Sequence, residues 1–182
     1  FVHFFVASSV SFIGGIHGVG KSTICNVLCT KLDIKYLSAS EVLKWAEMNE
    51  DSKNKKVNDV ALTQDRLIHG LIKRVEKKYH YLLDGHYCLL DKAGKIVKIP
   101  FETFEAINPV SLHLITGDIL EIKSRLELRD ERIYDYHLLK DLQDQEIDYA
   151  KELSQKLNIS LNKGTESNYF EILQSLNIEL RK

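Results

Sequence analysis

Eight residues constrain this chain more than any others: Gly15-Ile16-His17-Gly18-Val19-Gly20-Lys21-Ser22, set between an apolar run ending at Gly14 and a run with helical periodicity. They fill every defined position of G-x-x-x-x-G-K-[ST], in the strand-to-helix context that the pattern requires. Glycine permits backbone angles closed to other residues. Successive N–H groups can therefore turn inward as an anion nest, with the positive end of the helix dipole behind them. Gly15, Gly18, Val19, Gly20, Lys21, Ser22 and Thr23 are the candidate triphosphate cradle. Lys21 is expected to reach the β and γ phosphates, and Ser22 to offer its hydroxyl to Mg²⁺. The bland alternative is a glycine-rich turn with a capping serine. His17 is read as a loop residue facing solvent, and Cys25 and Cys29 as apolar filler on the following helix.

The rest of the chain alternates short apolar runs with longer amphipathic ones, the signature of a parallel sheet covered by helices. Strands are expected at about Val10–Gly14, Lys35–Leu37, Tyr81–Asp84, Ser111–Thr116 and Ile159–Leu161. Helices are expected at about Lys21–Leu32, Ser40–Glu50, Val60–Lys78, Ile119–Arg129, Tyr136–Leu157 and Ser167–Leu176. The fold class is α/β: a P-loop NTPase three-layer sandwich with a five-stranded parallel sheet, flanking helices and a short lid at about 118–135. Residues 1–182 are read as a single domain. Polar Asn49–Asp59 reads as an exposed loop. Leu90–Pro109 holds Lys92-Ala93-Gly94-Lys95 and both prolines, and it reads as a turn followed by an excursion from the sheet.

Charge and cysteine content narrow the partners. With 25 Lys+Arg against 26 Asp+Glu, the formal net charge is -1, so no whole-molecule basic field points to nucleic acid. The cysteines (Cys25, Cys29, Cys88) include no C-x-x-C pair, which fits a reducing, cytoplasmic location better than a disulfide framework or a zinc site. The apolar run Phe1–Ile13 lacks a basic leader segment and is too short to span a bilayer. Its second half is read as the first core strand, and Phe1–Val6 has no assigned element.

Tyr81-Leu82-Leu83-Asp84-Gly85-His86 is an apolar strand ending in an acid at the sheet edge where ligands bind in open α/β folds. Asp84 is placed to hold Mg²⁺ directly or through water; its other reading is an aspartate in a turn. His86 either contacts an acceptor phosphate or satisfies the turn. From Ser124 to Asp135 three arginines, Arg125, Arg129 and Arg132, mix with acids. This is either a solvated helix face or a second cation cluster facing the phosphate loop.

With these residues in view, the chain resembles the P-loop nucleoside monophosphate kinases, most of all the archaeal-type adenylate kinases and the related nuclear adenylate kinase and ribosome-assembly ATPase group. The likeness runs from about Ser11 to Gly164. It implies that Asp84 and His86 end the third strand of the fold, and that Gln64-Asp65-Arg66 helps bind the acceptor monophosphate through Arg66. It also implies that Arg125, Arg129 and Arg132 close over the transferring phosphate. Where that lid commonly reads Arg-x-Arg-Asp, this chain has Arg132-Ile133-Tyr134-Asp135, with Tyr134 in place of the second arginine. The base of ATP would rest on the loop at Asn162–Asn168.

The resemblance implies a phosphotransferase that moves the γ phosphate of MgATP to a nucleoside monophosphate, with AMP as the expected acceptor. A second reading keeps the fold but makes the chain an ATPase coupled to a protein or ribonucleoprotein partner. A third is a nucleotide-dependent binding module with negligible turnover.

Overall fold

The computed structural model describes residues 9–49 and 60–182. The readings that fall on Phe1–Val6, and on Asn49–Asp59 beyond Asn49, lie outside those residues. The apolar run before the glycine-rich loop forms β1 (Ser9–Gly14), and the segment after it forms α1 (Lys21–Leu32), which buries Ile24, Cys25, Leu28 and Cys29. Next come β2 (Lys35–Ser38), α2 (Ala39–Asn49), α3 (Val60–Arg74) and β3 (His80–Asp84). They are followed by β4 (Cys88–Leu90), β5 (Ile96–Lys98), α4 (Phe101–Ile107), β6 (Ser111–Ile115), α5 (Ile119–Asp130), α6 (Tyr136–Leu157), β7 (Leu161–Gly164) and α7 (Phe170–Glu179).

The main sheet has five strands in the order β2-β3-β1-β6-β7, every pairing parallel. This bears out the expected fold class. A parallel sheet carries all its strand C-termini on one edge, and the chain winds outward on both sides of β1, so a crevice opens where the winding direction changes. The loops after β1, β2, β3, β6 and β7 all leave from that edge.

Several boundaries differ from the sequence reading. The helix expected to run to Lys78 stops at Arg74, and the last strand begins at Leu161 rather than Ile159. The reason for the second shift is local. Asn158 caps α6 in the left-handed conformation, and Ile159 N–H still bonds back to Ser154 O. The excursion between Leu90 and Pro109 is a β4–β5 antiparallel hairpin followed by α4. Its turn is held by the Asp91 carboxylate, which accepts from Ala93 and Lys95 N–H, and Gly94 takes φ 78.

One face of the sheet is sealed by aromatic rings. Phe12 of β1 meets Tyr87 and Phe104 edge-on at 5.1 and 5.2 Å, and Phe104 meets Tyr149 of α6 at 6.1 Å. Rings at these separations add to the area they bury. Tyr87 donates its hydroxyl to His113 O at 2.8 Å, which ties the loop after β3 to β6. A Cβ at Gly14 would run into the Tyr87 ring. Glycine there lets Tyr87 lie directly under the phosphate loop.

The opposite face carries a polar chain. Ser9 and Ser11 bond the two ring nitrogens of His80, Ser111 donates to Ser11, and His113 Nε2 pairs with Ser111 at 3.0 Å. His113 is fully buried, and among the described residues its Nδ1 has no hydrogen-bond partner. Burial, with nearby His80 adding to it, lowers its pKa from 6.5 to about 3. The unfolded chain binds a proton at His113 that the folded chain refuses. Stability from this group is complete above about pH 6.5 and is lost as pH falls toward 3, by about 1.4 kcal/mol per unit. Denaturant unfolding from pH 7 to 4 should show a shallower acid decline in His113→Asn than in the parent. Parallel declines would remove His113 from the acid response.

Candidate functional site

Gly18 and Gly20 take φ 81 and 87, which side-chain-bearing residues rarely adopt. The loop uses these angles to turn back over the start of α1, leaving N–H groups for a ligand. Lys21, the first residue of α1, is only 9% exposed. Its ammonium forms an ion pair with Asp84 Oδ1 and donates to Gly85 O at 3.0 Å. The second carboxylate oxygen accepts the Tyr36 hydroxyl at 2.8 Å. Burial, then the bond to Asp84, raises the Tyr36 pKa, so the phenol stays a donor. Gly85 follows because a Cβ there would approach the Phe12 ring to 2.9 Å.

These groups line a cavity of about 630 Å³. The glycine-rich loop forms one wall, and Tyr36 with the segment Ser38–Glu41 forms another. Asp84, Gly85 and His86 form the floor, and Arg125, Arg129 and Glu166 the rim. The site residues read from the sequence therefore divide. Gly18, Gly20, Lys21, Ser22, Thr23, Asp84, His86, Arg125 and Arg129 line one space, while Arg66 and Arg132 do not border it. Gly15 and Val19 are buried and do not border it, the Val19 side chain joining the hydrophobic core.

The arginine segment is structured by its own charges. Asp118 caps α5 by accepting from Leu120 and Glu121 N–H, and Asp135 caps α6 by accepting from Leu138 N–H. Arg125 reaches Gly18 O at 3.3 Å and pairs with Glu166 at 2.5 Å across the phosphate loop. Arg129 forks onto Asp130 at 2.6 and 2.8 Å. Arg132 lies over the Tyr134 ring at 4.6 Å and donates to its hydroxyl at 2.7 Å, and that hydroxyl donates to Asp130. Tyr134 thus occupies Arg132 rather than extending the cation cluster.

Three residues were not read in these roles from the sequence: His17, Glu146 and Tyr36. His17, read as a solvent-facing loop residue, is indeed exposed, and it also lines the cavity with its ring 4.4 Å from that of His86. Desolvation, then the nearby His86, Lys21 and Arg129, lower its pKa to about 4. It is neutral near pH 7. Glu146 of α6 is 1% exposed and accepts Tyr87 N–H at 2.9 Å. The sequence did carry a signal for it, since Leu139, Leu142, Glu146, Tyr149 and Leu153 all lie on the buried stripe of α6. An acid on an apolar stripe needs a partner. Tyr36 had no such signal.

A five-stranded parallel sheet, a glycine-rich phosphate loop and an acid on the neighbouring strand, facing arginines across one cleft, define a P-loop protein of the kinase type. A family model described as an AAA domain matches residues 14–143. The chain belongs to that family. It is 30% identical over 131 residues to an adenylate kinase of Thermococcus kodakarensis, covering 66% of this chain and 65% of that protein. It is 26% identical over 190 aligned positions to adenylate kinase 1 of Schistosoma mansoni, covering 96% and 94%. The chain thus spans a little under two thirds of the first relative's length and nearly all of the second's. Among solved structures, shikimate kinase from Aquifex aeolicus superposes with a TM-score of 0.53 at 15% identity, covering 94% of this chain and 96% of that one. That likeness is one of fold. Among the described residues no helix is long and apolar enough to cross a membrane.

Proposed function

We propose that the chain transfers the γ phosphate of MgATP to a nucleoside monophosphate, with AMP as the acceptor, acting as a single domain in the cytoplasm. The observation that carries this reading is the extent of the cleft. It continues from the phosphate loop past Asp84 to the Ser38–Glu41 wall, so a second ligand has room beside the triphosphate. The two adenylate kinases similar to this chain support the same reading.

The residues suit a magnesium ion that arrives with the phosphates. Among the described residues no group of three or more His, Cys, Asp or Glu side chains could hold a metal alone. The donors on offer are the Asp84 carboxylate and the Ser22 hydroxyl, hard oxygen ligands of the kind Mg²⁺ takes together with substrate phosphates. When bound, the ion would neutralise charge on the transferring phosphoryl group. Asp84 is already fixed by Tyr36, and Lys21 sits beside it, within reach of a triphosphate on the loop. Transfer of this kind has a loose transition state, so the chain's tasks are alignment and charge neutralisation rather than covalent catalysis. Loop N–H groups and Lys21 hold the donor, Arg125 and Arg129 close the rim, and exclusion of water keeps the acceptor in place. The part proposed for Arg66 requires α3 to approach the cleft when the acceptor binds.

Asp84→Asn removes the anionic donor, so the Mg²⁺ concentration for half-maximal activity should rise about tenfold or more, with partial rescue by Mn²⁺. An unchanged titration would make Asp84 a structural partner of Lys21 alone. Assaying ATP with a panel of ribo- and deoxynucleoside monophosphates tests the acceptor, and AMP should give the highest kcat/KM. The ATPase reading is favoured by one observation, the engagement of Arg132 by Tyr134, which leaves one expected lid cation away from the cleft.

A further inference from the structure

The buried carboxyl group of Glu146 has one oxygen explained and one not. Oε2 accepts Tyr87 N–H, whereas Oε1 is buried without a hydrogen-bond partner among the described residues. An anchor for Tyr87 alone would leave Oε1 desolvated for nothing, at a free-energy cost. The nearest side chain of consequence is His86, whose Nδ1 lies 3.7 Å from Oε1. The same Nδ1 is 2.9 Å from Gly15 O. A carbonyl oxygen only accepts, so Nδ1 carries the hydrogen, and Oε1 stands as a second acceptor on that edge of the ring. A lone pair at Nδ1 would instead face two oxygens. The His17 ring lies 4.4 Å from that of His86.

We propose that Glu146 is a positioning residue. With Gly15 O it holds His86 as the Nδ1–H tautomer and turns Nε2 toward the cleft as a hydrogen-bond acceptor. Which ring nitrogen is protonated is set by the bond that the other nitrogen makes. The ligand chemistry that suits such an acceptor is an O–H donor, either a hydroxyl of the bound acceptor or a water beside the phosphates. Glu146 also lies on α6, which starts at the lid segment, so it ties the loop carrying Asp84 and His86 to that helix. The proposal rests on the reading that His86 borders the reacting phosphates.

The test is Glu146→Gln. The amide can still accept from Tyr87 N–H, but its NH₂ then opposes His86 Nδ1–H, donor against donor. Expected results are a thermal midpoint within a few degrees of the parent, a KM for ATP within about twofold, and a kcat lower by about tenfold or more, the scale seen when an outer partner of a site histidine is lost. Adding Glu146→Gln to His86→Ala should cost nothing further in kcat. An unchanged kcat in the folded variant would overturn the proposal, as would losses that multiply in the double variant. A second readout needs no turnover and no substitution at Glu146. Imidazole nitrogen spectra of the parent chain at about pH 8, with His86 assigned by its absence in His86→Ala, should show hydrogen on Nδ1 and none on Nε2. The reverse tautomer would refute the positioning role whether or not the chain is a kinase. Absence of transfer with the expected tautomer would refute the kinase reading alone.

Discussion

Replacing Lys21 with methionine is expected to lower kcat by about a hundred- to a thousandfold, the cost of removing one preorganised donor from developing phosphoryl charge. Methionine keeps the length of the stem and removes the charge. The substitution also leaves the buried Asp84 with Tyr36 as its hydrogen-bond donor. Breaking a buried ion pair from one side costs about 3 kcal/mol, so stability should fall as well. Lys21→Met combined with Asp84→Asn separates the two effects, because stability should largely return while turnover stays low. Turnover within tenfold of the parent in Lys21→Met would take Lys21 out of the phosphate site.

The second large effect is expected at Arg129. Arg125 and Arg129 border the cleft, whereas Arg132 is spent on Tyr134. The exposed fork from Arg129 to Asp130 is solvent-screened and is a weak hold on the guanidinium. Arg129 can therefore exchange Asp130 for a phosphate oxygen at little cost. An arginine that meets charge mainly in the transition state is worth on the order of a thousandfold in rate. Arg129→Ala should lower kcat on that scale with the KM for ATP changed by less than about fivefold, and Arg132→Ala should stay within about tenfold of the parent. Steady-state kinetics of both variants check this. Equal losses at Arg129 and Arg132 would mean that the Tyr134 contact opens during turnover.

The parts of the fold legible in the sequence are those where a long pattern meets a special residue. Val10–Gly14 followed by the glycine-rich loop and an amphipathic helix could be read residue by residue, because Gly18 and Gly20 need angles that few other residues take. The parallel sheet followed from the alternation of runs. The β4–β5 hairpin and α4 were missed because they have three, three and seven residues, too few for a period to declare itself. The candidate site was legible where one residue type carries the chemistry, as with Lys21 and Asp84. It was not legible where tertiary packing decides. Tyr36 meets Asp84 across adjacent strands, and His17 meets His86 across 68 intervening residues. Arg132 shows the reverse case. The family resemblance implied a cleft residue, but a neighbouring aromatic ring with a hydroxyl offered it a closer partner.

Transfer between two nucleotides is tested by product formation by the parent chain with ATP and Mg²⁺, with and without AMP. ADP is expected only when AMP is present, two ADP for each ATP and AMP consumed, with little inorganic phosphate released. Phosphate release from ATP at the same rate with or without AMP, and no conversion of AMP, would contradict it.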